Sequence, residues 1–447
     1  MQGGMTVKSP SAIRSRLTLV ALAVAVLLML TLTVIPATAT TKVTLVSEYG
    51  THTEAWKTEM DAFEKQSGID LELTQIPYAN YFDQLTLNFT GNVGNYDVVY
   101  ISGLWYPAFA NAGYIAPLDD LSDSINVSDI PGIENAYQKG KLYIIPYMNE
   151  LGGIVYRKDL FDDPDEKAAF KKKYGYELQP PRTLKQYQDI AEFFNRPPKL
   201  YGVTLMGRRS IFLATHFMNR LWAHGGQLLD SNMRPAFNSP AGVQALKEAR
   251  EMFKYANPAA KNYDFQEAVT EFTMGRSAMA ELWTTSLLYA DDPAKSKIVG
   301  KASFVGFPRP DENLGKKLPM LYISWGFAIA QSAKDKDAAK EWVKYVTSKD
   351  AEVRAAVHGN IPARYSSLGD PKLQAKFPWL KAFKEAMEQG IPTPMVPLIP
   401  EGSALVNQYL VPAVATFMTD ANADAKKVLD EAANGVTELM RAGGYYK

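Results

Sequence analysis

The chain has 447 residues, 47% of them hydrophobic, and its 48 basic and 48 acidic side chains balance. This length predicts at least two domains, each with enough apolar residues for a core of its own. The balanced charge gives no basic patch for binding nucleic acid. The absence of cysteine excludes disulfides and the usual structural zinc sites.

The first 39 residues have the pattern of an export signal. Three basic residues precede an unbroken apolar run over 17–35, and the small residues Ala37, Thr38 and Ala39 follow it. This arrangement predicts a signal peptide that is cleaved after Ala39, and therefore a periplasmic or extracellular product. The alternative is an uncleaved membrane tether, because the run is about as long as a membrane span.

The segment 42–101 predicts the element order β-α-β-α-β. Residues 42–49 and 69–76 alternate as strands, and 97–101 form a continuous apolar strand. Between them lie a helix with one apolar face, ended by Gly68, and a second helix around 81–89. This order predicts a parallel sheet with right-handed crossovers.

The remainder of the chain mixes strands with many helices. Two strand-like runs follow at 141–147 and 152–157, and Pro146 marks a point where the backbone could pass from one sheet to another. Helical patterns then dominate 182–256, and strand character returns at 301–308 and 322–330. The segment 391–400 contains four prolines, which predicts an extended loop. Amphipathic helices are predicted at 337–347 and 424–440.

The motifs of several common enzyme classes are missing from the sequence. There is no H-E-x-x-H pair, no G-x-S-x-G elbow and no glycine-rich phosphate loop, so no metal and no cofactor is predicted. Glycosidases need only two carboxylates at a set separation, which sequence spacing cannot exclude. Glu150 and Glu281 are the candidates for such a pair.

Aromatic and polar residues instead coincide at the ends of predicted strands. In open α/β sheets ligands bind at the carboxyl ends of strands, so these residues are expected to meet in one cleft. Aromatic rings pack on the C–H edge of a sugar, and carboxylates and amides bind its hydroxyls. The residues concerned are Glu48, Tyr49, Ser102, Trp105, Asn149, Glu150, Trp283, Tyr322 and Trp325.

Several segments, in order, resemble the extracellular solute-binding proteins of ABC transporters, in the large group that serves sugars and includes maltose-binding protein. Residues 96–121 ("YDVVYISGLWYPAFANAGYIAPLDDL") resemble the family's strand and loop that lead to its hydrophobic-Gly-Tyr-Ile/Leu stretch. Residues 141–161 ("KLYIIPYMNELGGIVYRKDLF") are similar to the family's segment that crosses into the second lobe. Residues 182–194 match a family helix, with Leu184 in place of the usual tryptophan. Further similar segments are 237–253, 271–285, 325–350, 359–367 and 423–440.

This resemblance implies a two-lobed α/β fold in which each lobe is a mostly parallel sheet flanked by helices. A cleft at a multi-crossing hinge would close on the ligand, and the complex would dock on membrane permease subunits. A monomer without catalytic residues is expected. Lobe 1 is predicted to comprise 40–148 and 303–365, and lobe 2 to comprise 149–302 and 366–447.

The resemblance also places candidate contacts. Glu150 matches an acidic ligand contact, Trp283 an aromatic one, and Ser102 to Trp105 the loop of the first lobe. Trp325 and Gly326 match a loop that contributes to the cleft. Arg364 stands where many members of the family have a Pro-x-Arg sequence, and its role is either structural or in ligand binding. Whether Trp105 or Tyr106 faces the ligand is open. The alternatives to a sugar receptor are an exported carbohydrate-active enzyme, the same fold with a non-sugar ligand, and a purely sensory role.

Overall fold

The computed structural model describes residues 1–4, 41–91 and 95–446. The predicted signal segment therefore lies outside the described residues, apart from its first four. The chain from Lys42 onward forms one unit by its internal contacts. Among the described helices, none combines the length and the apolar character that crossing a bilayer requires.

Nine of the strands in the described part of the chain form one sheet, and two more form a small hairpin. The strands are β1 (Lys42–Glu48), β2 (Asp70–Ile76), β3 (Val98–Ser102), β4 (Tyr137–Gln138), β5 (Lys141–Leu142), β6 (Ile145–Arg157), β7 (Tyr201–Thr204), β8 (Ser277–Trp283), β9 (Ala302–Gly306), β10 (Pro319–Ile329) and β11 (Ile391–Pro394). The large sheet has the order β2-β1-β3-β10-β6-β8-β7, with β11 paired to β10 and β9 paired to β6.

Helices surround this sheet. They are α1 (Thr51–Lys57), α2 (Met60–Ser67), α3 (Tyr78–Thr90), α4 (Tyr106–Asn111), α5 (Ser122–Ile125), α6 (Lys158–Asp162), α7 (Pro164–Tyr174), α8 (Leu184–Phe194), α9 (Ile211–Ala223), α10 (Pro240–Met252), α11 (Phe265–Thr273), α12 (Ser286–Ala290), α13 (Lys336–Val346), α14 (Lys349–Ala356), α15 (Tyr365–Leu368), α16 (Pro371–Lys376), α17 (Trp379–Gln389), α18 (Gly402–Ala404), α19 (Val411–Thr419) and α20 (Ala425–Ala442). A π-helical segment, Leu405–Leu410, joins α18 to α19.

The first part of the chain follows the predicted β-α-β-α-β order. β1 pairs in parallel with β2 over its whole length and with β3 at Leu45 and Val46. The structure has two helices where one was predicted, because the helix is interrupted between Lys57 and Met60. Gly68 ends the second of them in the left-handed conformation, with φ of 72°, as glycine readily does.

The long strand β6 corrects the prediction for Pro146. The strand continues through that proline and changes neighbours later: Ile145–Leu151 pairs with β10, and Gly152–Arg157 pairs with β8 and β9. The glycines at the change are needed for packing. A Cβ at Gly152 would lie 2.6 Å from the Leu321 side chain, and one at Gly153 would lie 2.6 Å from the Phe304 ring.

The proline-rich segment over 391–400 differs from the sequence interpretation. The proline-rich segment was expected to be a loop, but Ile391–Pro394 is a strand that pairs in parallel with Pro319–Tyr322. It pairs only with β10 among the described strands, an edge position where prolines without an N–H are tolerated.

The proposed lobe limit at residue 303 falls inside β9, whose partner is the second half of β6. The lobe limits as a whole stay a prediction.

Candidate functional site

A cavity of about 520 Å³ lies against the sheet, within the size range of small-molecule sites. Its walls come from segments far apart in the sequence: the turn from β1 to α1, the start of α3, the middle of β6 and β10, the end of β8, and the start of α11. The predicted residues Glu48, Tyr49, Glu150, Trp283 and Trp325 all line it.

One wall is built around the Glu48 carboxylate. Glu48 ends β1 and is 2% exposed, and its Oε1 lies 2.9 Å from His52 Nε2 in the first turn of α1. The other ring nitrogen of His52 lies 3.0 Å from the Tyr100 hydroxyl. Because both ends of the imidazole are engaged, the orientation of the Glu48 carboxylate is fixed from behind.

Trp325 forms an aromatic floor under the cavity. It is 7% exposed, and its ring centroid lies 5.1 Å from that of His52 and 5.8 Å from that of Tyr100, on which it stacks. The ring centroid of Tyr78, the first residue of α3, lies 6.2 Å from that of Trp325, and Tyr78 also lines the cavity. The floor is therefore rigid, while the more exposed Tyr78 ring remains accessible.

Strand pairing explains why Glu150 and Trp283 reach the same cavity. Glu150 stands opposite Ile323 on β10, and Gly152, two residues further along β6, stands opposite Trp283 on β8. Opposed residues and residues two apart share a face of a sheet. Burial raises the pKa of Glu150, and this effect outweighs the opposite influence of Thr285 and His52.

The opposite wall carries a charge cluster and a pair of phenylalanines. Arg208 Nη2 lies 2.8 Å from Glu267 Oε1, and Arg208 Nη1 lies 3.8 Å from Asp264 Oδ2. Asp264 and Glu267 form the capping box that begins α11. Phe212 and Phe265 stack with centroids 5.9 Å apart. Arg208 is half exposed and lines the cavity.

The sequence model of the family described as bacterial extracellular solute-binding protein matches residues 49–353. The chain belongs to this family. The sequence-based recognition is thereby confirmed.

Two proteins similar to this solute-binding protein are described as binding or holding a polyol. An ABC transporter solute-binding protein from Agrobacterium radiobacter K84, solved in complex with ribitol, is 26% identical and has a TM-score of 0.74, with 89% of this chain and 98% of that chain covered. A mannitol-binding protein of Pseudomonas aeruginosa is 27% identical over 275 residues, which is 60% of this chain and 59% of that protein. A maltose-bound MalE3 structure of T. maritima is 21% identical with a TM-score of 0.73, with 89% of this chain and 100% of that chain covered. The two-lobed α/β fold is confirmed by these two solved structures.

Another relative is named for a different class of ligand. A protein of Sinorhizobium fredii named as a probable amino-acid ABC transporter periplasmic-binding protein is 23% identical over 422 residues, and the match covers 91% of each chain. Names among the relatives thus cover more than one ligand class, so the ligand of this solute-binding protein must be argued from its own cavity.

Trp105 lies behind the cavity, not on it. It is partly buried and stacks on Tyr78 with centroids 5.6 Å apart, and it also contacts the ring of Trp325 edge-on at 5.5 Å. Tyr106 is fully buried, and its hydroxyl donates to the carbonyl oxygen of Asn135 at 2.8 Å. Neither of these two residues lines the cavity, whereas Tyr78 does.

Asn149 and Tyr322 lie on the other face of the same strands. Side chains alternate along a strand, so the neighbours of Glu150 and Ile323 point away from the cavity. The Tyr322 hydroxyl donates to Asn149 Oδ1 at 2.7 Å, and Asn149 Nδ2 donates to the Ala363 carbonyl at 3.1 Å. Both predicted ligand contacts are therefore engaged in the structure and do not line the cavity.

Three further predicted contacts also lie elsewhere. Ser102 is buried, and its Oγ accepts from the Leu104 backbone N–H at 3.3 Å. Gly326 lies at a β-bulge, where a Cβ would stand 2.4 Å from the Ile145 carbonyl oxygen. Arg364 is 4% exposed and donates to the carbonyl of Thr347 at 2.8 Å, among others, so its contacts are structural.

Glu281, the second carboxylate of the alternative enzyme reading, is enclosed in a buried ion cluster. Tyr187 donates to its Oε1 at 2.9 Å, His216 Nδ1 lies 2.6 Å from its Oε2, and Arg220 contacts both oxygens. Burial alone would raise the pKa of Glu281, but Arg220 and His216 hold it well below its usual range. Glu281 does not line the cavity, so it does not face Glu150 across it.

Several cavity residues had no sequence prediction, among them His52, Tyr78, Phe212 and Phe265. Tyr78 had a usable signal, because it stands two residues after the end of β2, and Glu48 and Trp283 likewise stand at the ends of β1 and β8. The two phenylalanines lie in the first turns of helices, and no local pattern separates such residues from core positions. The described residues contain no group of three or more acidic or histidine side chains placed to hold a metal ion.

Proposed function

We propose that this solute-binding protein is the receptor of an ABC importer and that it captures a small carbohydrate, either a sugar, an oligosaccharide or a polyol, in the cavity between Glu48, Glu150 and Trp283. The observation that carries the proposal is the convergence of carboxylates and aromatic rings from distant segments on one cavity of about 520 Å³. Closure of the two lobes about the hinge would complete the contacts.

The chemistry of the cavity suits a carbohydrate. Tyr78, Trp283 and Trp325 offer aromatic faces to the C–H surface of a sugar or polyol. Glu48 and Glu150 offer carboxylate oxygens, which only accept hydrogen bonds and so match hydroxyl donors. Such a site is lined mostly by apolar groups and fixes its ligand through few polar ones.

The charge of the cavity disfavours anionic ligands. Four carboxylates line it, and Arg208 is the only lysine or arginine among the described lining residues. Arg208 is already paired with Glu267 at 2.8 Å. A phosphorylated sugar or the carboxylate of an amino acid would therefore meet repulsion without a free cation to offset it.

Binding without turnover, export and docking on a permease complete the proposal. The predicted signal over 1–39 would direct the chain out of the cytoplasm, to the periplasm or the extracellular side, either as a free monomer or tethered to the membrane. There the loaded receptor would deliver an unchanged ligand to permease subunits. An exported carbohydrate-active enzyme is the alternative that product analysis separates.

Thermal unfolding of the exported chain against a panel of sugars and polyols tests the proposal. A ligand that binds only the folded state stabilises it in proportion to the logarithm of its concentration, by about 2.7 kcal/mol at 100 times Kd. We expect at least one carbohydrate to raise Tm in this way and to be recovered unchanged. If amino acids raise Tm while no carbohydrate does, the carbohydrate assignment is wrong.

A further inference from the structure

The Glu150 carboxylate forms no ion pair with a described side chain, although it lies in a largely enclosed setting. It is partly buried, and no described lysine or arginine lies within ion-pair distance of it. A carboxylate removed from water without a counter-charge is costly to the folded protein. Its raised pKa has the same origin, because burial disfavours the charged form.

The other carboxylates of the cavity are all engaged. Glu48 lies 2.9 Å from His52, and Glu267 lies 2.8 Å from Arg208. Asp264 accepts from the Phe265 backbone N–H at 3.0 Å as a helix cap and lies 3.8 Å from Arg208. Among the described residues, Glu150 is therefore the one carboxylate of the cavity without a lysine, arginine or histidine within ion-pair distance.

The surroundings of Glu150 contain a second unsatisfied group. Thr285 lines the same cavity and is 8% exposed; it lies close enough to Glu150 to lower the pKa of that carboxyl, but its hydroxyl makes no well-formed hydrogen bond among the described residues. Buried polar groups in native proteins are nearly always paired, so an orphan here indicates a partner that arrives with the ligand. Trp283 and Trp325 line the same space, and aromatic faces attract cations.

We infer that the ligand carries a protonated amine that pairs with the Glu150 carboxylate, so that the preferred carbohydrate is an amino sugar or an amino alditol. The ammonium N–H groups would donate to Glu150, and the Thr285 hydroxyl would accept a further N–H or donate to a neighbouring hydroxyl. The aromatic rings would add cation–π attraction. This inference rests on the proposed function and narrows its ligand class.

Matched ligand pairs test the inference by calorimetric titration at pH 7. Each neutral sugar or alditol of the glucose, mannose and galactose series is compared with its amino-deoxy counterpart, for example D-glucitol with 1-amino-1-deoxy-D-glucitol. An aliphatic amine is protonated at this pH. For the configuration that binds, we expect the amine to bind about tenfold more tightly or better, the usual gain of a charge-assisted hydrogen bond.

Glu150→Gln shows where the preference arises. This variant keeps the shape of the side chain but removes the charge, so the preference for the amine should fall to about onefold while the neutral ligand loses much less. The control is Glu341→Gln, which removes an exposed carboxylate on α13, paired with Lys344, outside the cavity. It should keep the full preference. Unchanged Tm values would show that both variants are folded.

Three outcomes are distinguishable. An amine preference that disappears in Glu150→Gln and persists in Glu341→Gln upholds the inference. Equal or tighter binding of the neutral members overturns the inference and leaves the carbohydrate receptor standing. If neither member of any pair binds, the proposed function fails and the inference fails with it.

Discussion

Glu150 and Glu281 lie on neighbouring strands of one sheet but have opposite surroundings. Glu281 is 2% exposed and receives contacts from Tyr187, His216 and Arg220, so its charge is fully compensated. Glu150 has no such set of partners and faces a cavity. The buried charge of Arg220 therefore depends on Glu281, whereas a buried carboxylate without an ion pair costs stability, a cost that the proposed ligand contact would explain.

Glu281→Gln should have the largest effect. The substitution leaves Arg220, which is 1% exposed, as an uncompensated buried charge, and breaking a buried pair in this way costs about 3–5 kcal/mol. Urea unfolding at pH 7 measures the change in the free energy of unfolding. Glu150→Gln is the matched comparison, and its change should stay within about 1 kcal/mol or be a gain. A loss below about 1 kcal/mol for Glu281→Gln would remove the distinction between the two sites.

Trp105 and Tyr78 extend the comparison to the aromatic residues. Trp105 is packed among other rings, so Trp105→Ala should cost about 2–3 kcal/mol of unfolding free energy, somewhat below the range for a fully buried tryptophan. Tyr78 is 58% exposed and lines the cavity, so Tyr78→Ala should change stability by less than about 1 kcal/mol.

The two substitutions should rank in the opposite order by their effect on ligand affinity, with Tyr78→Ala having the larger effect. Loss of the Tyr78 face should weaken binding by about 1 kcal/mol, which is roughly fivefold. Calorimetry with the carbohydrate that gives the largest shift in Tm measures this change. If Trp105→Ala abolished binding at unchanged stability while Tyr78→Ala did not affect it, Trp105 would be the ligand platform after all.

The smallest effect is the pH dependence of the same glutamine variants. The pKa of Glu281 is lowered in the folded state, so its stabilisation is fully present above the unfolded pKa of about 4.3 and is lost as pH falls through the folded pKa. The pKa of Glu150 is raised, so the stability linked to its protonated form is present below about 4.3 and is lost as pH rises through the folded pKa.

The two variants should therefore differ from the parent with opposite signs at pH 7. Glu281→Gln should be less stable, and Glu150→Gln equally or slightly more stable, with both differences shrinking in acid. Urea unfolding at pH 7, 5 and 4 follows these differences. A stability gain of the parent over Glu150→Gln that grows with pH would show that Glu150 has a cationic partner within the fold.

Much of the fold followed from local patterns. Period-two and apolar runs predicted β1, β2 and β3, and the amphipathic pattern over 424–440 predicted α20. Local patterns did not predict that β6 passes through Pro146 or that Ile391–Pro394 adds a strand, because both depend on pairing with β10, which is distant in the sequence.

The site was predictable only in part for a related reason. The rule that ligands meet strand ends found Glu48 and Trp283, and the family resemblance supported Glu150. The same rule selected Asn149 as a cleft residue together with its neighbour Glu150, although adjacent residues of a strand point to opposite faces. Residues that reach the cavity from helix starts, such as Phe265, depend on tertiary packing alone.

Calorimetric titration of the parent protein with the sugar and polyol panel, followed by analysis of the recovered ligand, tests the central claim most directly. The account predicts saturable binding of one carbohydrate per chain, with the ligand returned unchanged. Hydrolysis of the bound carbohydrate, or the absence of saturable binding by any sugar, polyol or amino derivative, would contradict it.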